Sequence, residues 1–485
     1  MASVKANIYA NIMGKAWSVL ATFLFIPLYL KYLGIEQYSL ISFATVLNGV
    51  LIMLDSGLTM TLTREFALSR PMSEKWKTFR YLEHCYFYSV VLIIILSIFG
   101  ASYIANSWLK LDSLKTKYAS TCIKMIGTSC AIQMLSSFYT GAFNGMEKMV
   151  EVNIYRILYS FIRAGMVIIP IFYAHSVLVF FLWQLITDFL YASFLRYRVI
   201  PKNDFPAIPL FSIEREEVKR IGKFAGGVFL ISIVSAINTQ LDKLVISKIF
   251  EISELGIYSL AMSVSMVLVS ITTPITLALQ PRFTNMISSN ESDKVNNLYS
   301  IAFRLVSLIV ISVLLVISFN AENVLWIWTG DHDLSSKAAA YLPLLLLGAA
   351  AIAYQTIPYC VAIGNSNTLY NNILGLSSLL LTIPGYLFAG KLWGILGVAY
   401  VYAFSQLCMT PIYIHFINKR YLKQGGTLMF LFKNILIPII ILGFISYILS
   451  YIPVFNNRLL DLLRIVIILV ITLLPLVVYL YKLKK

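Results

Sequence analysis

Long apolar runs separated by short polar segments fill the chain from end to end. An α-helix needs about 20 apolar residues to cross the hydrocarbon core of a bilayer. Fourteen runs reach that length: 9–33, 38–62, 81–105, 118–143, 153–174, 176–196, 224–249, 256–283, 299–320, 338–363, 369–390, 394–417, 433–452 and 460–481. The pattern predicts an all-α integral membrane protein of about fourteen spans. The first run has no small-residue cleavage site before its polar flank and reads as a retained span. The fifth and sixth runs are separated only by the short break Tyr173 to Ser176.

The chain also resembles itself at an offset of about 220 residues. Tyr38, Ser39 and Leu40 open the second run as Tyr258, Ser259 and Leu260 open the eighth. Gly145 and Asn153 flank the entry to the fifth run as Gly364 and Asn372 flank that of the eleventh, and Gln184-Leu185 matches Gln406-Leu407. Residues 1–196 and 224–417 are therefore expected to form two parallel six-helix bundles. Segment 197–223 is a linker with Pro201, Pro206 and Pro209 and a short interfacial helix, and 418–485 adds a loop and two helices. Parallel repeats are a transporter plan, with the site between the halves.

Composition agrees with the pattern: 59% of the 485 residues are hydrophobic and 12% charged, against about 25% charged in soluble domains. The net charge of +16 sorts by membrane side. With the N-terminus in the cytoplasm, 23 basic residues fall in inside segments and 7 in outside ones. That asymmetry puts both termini in the cytoplasm and removes the need for a nucleic-acid partner. Five cysteines inside apolar runs form no CxxC pair, and four scattered histidines lack ligand spacing, so neither a disulfide framework nor a metal site is expected. Gly385, Gly390 and Lys391 spell part of a phosphate loop. Leu392 stands where magnesium needs a hydroxyl and no strand precedes it, which excludes nucleotide binding there and leaves the chain without a cofactor.

The candidate chemistry is an excess of cations inside the first bundle. Arg163 lies near the middle of the fifth run, where an ionised side chain costs about 2.5–3.5 kcal/mol. It needs an anion to hold or a partner to pair with. Asn153, Arg156, Ser160 and Arg163 share one face of a continuous helix, although Arg156 is close enough to the cytoplasmic edge to snorkel. Lys124 in the fourth run and Lys15 in the first are either lumen cations or anchors. At the repeat offset, positions 156 and 163 become the neutral Gly375 and Thr382, so the basic face belongs to the first bundle. Asp55, Asp188 and Asp242 are intramembrane acids, each read as an ion-pair partner or as a proton or cation site; Asp242 adjoins Lys243. Arg64, beside Glu65, closes the second run as a local pair or an inner gate. Pro27, Pro274, Pro358 and Pro384 supply bending points.

Several stretches resemble the multidrug/oligosaccharidyl-lipid/polysaccharide superfamily, and within it the Wzx-type flippases of lipid-linked oligosaccharides. They are Pro27 to Gly34 with Tyr38-Ser39-Leu40, Leu54 to Leu58 running into Thr63-Arg64-Glu65, and Gly141 to Gly145. The resemblance implies a translocator of an undecaprenyl-diphosphate-linked O-antigen unit in the bacterial inner membrane, with Lys15, Lys124, Arg156 and Arg163 fitting the family's cationic cavity. It also implies coupling to the membrane potential or to a Na+ or H+ gradient, and an O-antigen polymerase and chain-length regulator as partners. A cation-coupled drug antiporter of the same superfamily predicts acids and an apolar cavity in the first bundle. A membrane glycan polymerase or glycosyltransferase needs a sizeable outer loop, and the longest here is 321–337. Replacing Arg163 by Ala is expected to abolish export at normal protein level.

Overall fold

The computed structural model describes residues 4–68, 70–201, 215–365, 369–422 and 426–484; the side chains of 4–16, 18, 19, 22, 52–54, 56–58, 215–231, 369 and 480–484 lie outside that description. The described residues are helical apart from turns and a single bridge between Lys110 and Glu251. Among the described residues, nine helical stretches are long and apolar enough to cross a membrane. The chain divides into two compact units, Met1–Gly256 and Ile257–Lys485.

In the first unit, α1 (Val4–Ala67) carries the first two apolar runs and is broken at Gly34, whose φ of +76° is a left-handed conformation that a side chain resists. It is followed by α2 (Met72–Tyr103), α3 (Thr116–Gly145), α4 (Met149–Ser160), α5 (Ile168–Ala174), α6 (Val177–Val199) and α7 (Arg215–Ile249). The interfacial helix expected around 214–220 is continuous with α7, and the proline-rich residues 202–214 lie outside the described residues. An aromatic layer from α1, α2 and α3 (Phe66, Trp76, Phe79, Tyr86, Phe138, Phe143) forms the packed centre of this unit. The bend at Gly34 also organises the neighbouring loops. Glu36 accepts from the backbone N–H groups of Asp112, Ser113 and Leu114, and Gln37 accepts from Val177 N at 2.7 Å. Desolvation pushes the Glu36 carboxyl up, but these bonds and one from the Ser113 hydroxyl outweigh it and hold the group below the usual carboxylate range.

The chain continues through α8 (Ile252–Ser265) into the second unit, with α9 (Val267–Ser288), α10 (Ser292–Phe319), the short α11 (Ala321–Thr329) and α12 (His332–Ala339), α13 (Leu342–Gly364), α14 (Leu369–Ile417), α15 (Thr427–Leu431), α16 (Ile437–Ser450) and α17 (Arg458–Lys484). Helix α13 is the buried centre of this unit, and Ala349, Ala350, Ala351 and Ala353 let its neighbours approach closely. Helices α16 and α17 leave most of their apolar surface exposed, as lipid-facing helices do. Helix α14 is broken at Gly394, φ +64°. The left-handed interruptions fall on these glycines; Pro27, Pro274, Pro358 and Pro384, read as bending points, all lie inside helices.

One close helix approach recurs in both units. A Cβ on Gly145 would lie 2.6 Å from Phe66 Cβ and 2.7 Å from Thr63 O; one on Gly364 would lie 2.7 Å from Ile287 Cδ1 and 3.5 Å from Thr284 N. Thr63 and Phe66 correspond to Thr284 and Ile287 at one offset. The left-handed His175 between α5 and α6 likewise corresponds to Gly394.

Candidate functional site

Arg163 sits in the middle of the apolar stretch Met149–Ala174, where the expected continuous α-helix is interrupted. Pro170 lacks an N–H, and its ring crowds the carbonyl four residues back, at Met166. The chain answers with a π-helical turn, Phe161–Gly165, before α5 begins at Ile168. Three successive carbonyls of that turn accept from side chains. Trp183 Nε1 donates to Ile162 O at 3.0 Å, Gln184 Nε2 to Arg163 O at 2.9 Å, and the Tyr29 hydroxyl to Ala164 O. Helices α1 and α6 thus lock the bulge by satisfying backbone groups that have no water to turn to.

The guanidinium carried by this bulge has a partner within the chain. Arg163 Nε donates to Asp188 Oδ1 at 2.7 Å, and Nη2 reaches Oδ2 at 3.5 Å. Asp188, on α6, has no exposed side-chain surface, whereas Arg163 is 27% exposed. The Tyr159 hydroxyl also donates to Oδ1; the Ser129 hydroxyl and Gln133 Nε2, at 3.0 Å, donate to Oδ2. Asn48 Nδ2 in turn donates to Gln133 Oε1 at 2.8 Å. A buried carboxylate is tolerated when it is both paired and hydrogen-bonded, and this one is held from three elements, α3, α4 and the π-helical turn. It also alters the expected Arg163→Ala phenotype. Truncation there strands a buried charge, typically at about 3–5 kcal/mol, so protein level should fall as well as export.

The other sequence candidates are dispersed. Arg156 on α4 and Lys124 on α3 are partly buried, and among the described residues neither pairs with a carboxylate. The Lys15 side chain lies outside the described residues. Arg64 is exposed, and its neighbour Glu65 pairs with Arg70 at 3.2 Å. Asp55 is buried among hydroxyls, accepting from Tyr86 and from Thr59 at 3.1 Å. Asp242 lies 3.3 Å from Lys243 on α7. A cavity of about 610 Å³ at the α3–α4 turn is lined by Glu147, Lys148, Glu151 and Tyr155 and holds none of these cations.

Two features escape sequence reading. Glu83 is fully buried between Arg80 (2.7 Å) and Arg196 (2.9 Å), with the Tyr139 hydroxyl at 3.0 Å. The i,i+3 spacing of Arg80 and Glu83 was its only local signal. The bonds of Ser129, Gln133 and Tyr159 to Asp188 connect separate helices, and no local spacing announces them.

Among the described residues, helical apolar spans in two units, with a charge pair at mid-span, are those of a multi-pass membrane protein. Known proteins place it more closely. Residues 4–287 match the family described as polysaccharide biosynthesis protein, and 228–387 match MatE. A Shigella flexneri protein named "Putative O-antigen transporter" is 24% identical over 379 residues, 76% of this chain and 86% of that protein. The fold is similar to that of lipid II flippase MurJ in an inward closed conformation, with a TM-score of 0.78 and 16% identity, covering all of both chains. An inward-facing multidrug resistance MATE family transporter of the MOP superfamily gives 0.69 and 14%, covering 86% of this chain and 96% of the other. The first family match spans more than half of the chain. The chain belongs to that family and is a multi-pass membrane protein.

Proposed function

We propose that the protein is a flippase that carries an undecaprenyl-diphosphate-linked oligosaccharide from the cytoplasmic to the periplasmic leaflet. In this reading about fourteen spans, with both termini cytoplasmic, perform alternating access. Helices α1 and α14 each count as two crossings because each is broken at a left-handed glycine. The observation that carries the proposal is Arg163: a guanidinium at mid-span, only partly exposed, in a chain of a polysaccharide transporter family.

The chemistry is consistent. A diphosphate diester carries about two negative charges and suits charge-assisted contacts from Arg163, Arg156, Lys124 and Lys15. The sugars need a wet path, and the polyprenyl tail can remain in lipid. Moving two negative charges outward across an inside-negative potential releases about 2.3 kcal/mol per charge per 100 mV. Roughly 5 kcal/mol biases export more than a thousandfold. Membrane potential can therefore supply the driving force, provided the carrier returns without counter-charge, and coupling to Na+ or H+ antiport is not demanded.

Proteoliposomes of the full-length protein, loaded in one leaflet with a fluorescent polyprenyl-diphosphate oligosaccharide, test this directly. Probe should appear in the other leaflet faster than in protein-free vesicles, and faster still under a potential negative on the loaded side. Efflux of a cationic drug against a cation gradient, without movement of the lipid-linked sugar, would instead establish the antiporter.

A further inference from the structure

Asp188 raises a question that the flippase reading leaves open: a buried carboxylate beside an anion-binding arginine looks counterproductive. The second unit supplies the comparison. At an offset of 222, Gln133 becomes Gln355, Ser129 becomes Ala351 and Asp188 becomes Thr410. Gln355 Nε2 donates to Thr410 Oγ1 at 2.7 Å, and Thr410 Oγ1 donates to Ala351 O at 3.1 Å. The same three positions meet in each unit, so packing at this place requires only a polar atom. A neutral threonine meets that need in the second unit, where no arginine stands opposite. The negative charge at 188 therefore has another purpose.

A guanidinium has five N–H donors arranged as two forks. Asp188 occupies the fork made by Nε and one N–H of Nη2. The three remaining N–H groups have no acceptor among the described residues, and the side chain retains accessible surface. The carboxylate itself is fixed by Tyr159, Ser129 and Gln133, none of which touches the open fork. An anion on the open side would lie roughly twice as far from the carboxylate as from the guanidinium, so attraction exceeds repulsion under a 1/r law.

We propose that Asp188 is a positioning residue: it clamps one fork of Arg163 so that the other is presented, preoriented, to a phosphate of the lipid diphosphate. This rests on the reading of Arg163 as a substrate contact. Arg156 and Lys124, neither paired with a carboxylate among the described residues, are further cations of the first unit. The scale is taken from metal sites, where removing a carboxylate that orients a ligating side chain typically costs about 10–100-fold in affinity.

The test measures binding of undecaprenyl diphosphate and undecaprenyl monophosphate to the full-length protein in nanodiscs, together with thermal stability. Asp188→Asn should weaken diphosphate binding at least about tenfold and reduce discrimination against the monophosphate, with Asp188→Glu recovering most of both. Unchanged or tighter diphosphate binding by Asp188→Asn overturns the proposal, because Asp188 would then be a packing group or a competitor for Arg163. If Asp188→Asn does not accumulate, Gln133→Leu loosens the clamp while keeping the ion pair. It should weaken diphosphate binding about threefold, within the loss of one hydrogen bond to a charged group, and unchanged binding again overturns the idea. A charge-balanced Arg163→Gln/Asp188→Asn pair that binds the diphosphate like wild type rejects Arg163 as a contact, a failure of the underlying reading and distinguishable from failure of the clamp.

Discussion

The two units solve one packing problem with different electrostatics. In the first, Gln133 meets a buried Asp188 that holds Arg163; in the second, Gln355 meets Thr410 and the arginine's counterpart is the neutral Thr382. The shared glutamine contact shows what the helical repeat needs in order to pack. The added ion pair shows what one half carries beyond packing. A buried pair contributes little net stability compared with neutral residues of similar volume, so its presence at this place in the first unit and not at the corresponding place in the second points to function.

The largest test of that contrast makes the first unit resemble the second. Arg163→Thr combined with Asp188→Thr should leave the protein folded, by thermal melting, and reduce transport about 30-fold or more, as the loss of a close charge contact does. Normal transport in that variant would remove the asymmetry's meaning. The reverse change, Thr410→Asp, buries a carboxylate with no arginine beside it. It should destabilise the protein by about 3–5 kcal/mol without any gain of transport, seen as a fall in melting temperature and membrane level. Arg304, the mid-helix cation of α10, is engaged with Asn434 instead.

Smaller differences separate the halves at their shared positions. An alanine at Gly145 meets the backbone oxygen of Thr63, which has no rotamer to yield, and should cost about 1–3 kcal/mol. At Gly364 the nearest atom is the tip of Ile287, which can swing away, so the loss should be clearly smaller. Gln133→Ala removes a bond to a charged group, worth about 1.5–3 kcal/mol, whereas Gln355→Ala removes a neutral one, worth about 0.5–1.5 kcal/mol. Equal losses would mean that the negative charge at 188 adds nothing to the glutamine contact.

The smallest expected effect concerns Glu36. Its carboxyl is held below the usual range in the folded state, so its stabilisation is complete above the unfolded-state value and is lost as pH falls through the folded one. Amide protection at Asp112 to Leu114, corrected for the intrinsic pH dependence of exchange, should fall on acidification, and Glu36→Gln should flatten that dependence. An unaltered pH profile in the variant would remove Glu36 from the account.

Much of the architecture was legible along the chain because the bilayer imposes a one-dimensional rule: every crossing must be long, apolar and helical. The repeat was legible for the same reason. Its small markers, Gly145 with Gly364 and Gln184 with Gln406, sit where helices approach closely or polar groups need partners. Arg163 was also visible, since a charge deep in an apolar run is costly wherever it occurs. The break in its helix was less so: Pro170 was there to be read, but the π turn depends on Trp183, Gln184 and Tyr29 arriving from α6 and α1.

The sequence by itself determined the class of protein, its long apolar helices and the presence of an expensive cation near the middle of one of them. The tertiary structure decided what that cation does with its charge. Asp188 lies 25 residues away and on another helix, and Gln133 and Asn48 are farther still. Hydrophobicity acts locally along a chain in a membrane, whereas the satisfaction of a buried charge depends on directional bonds between helices, set only when those helices pack.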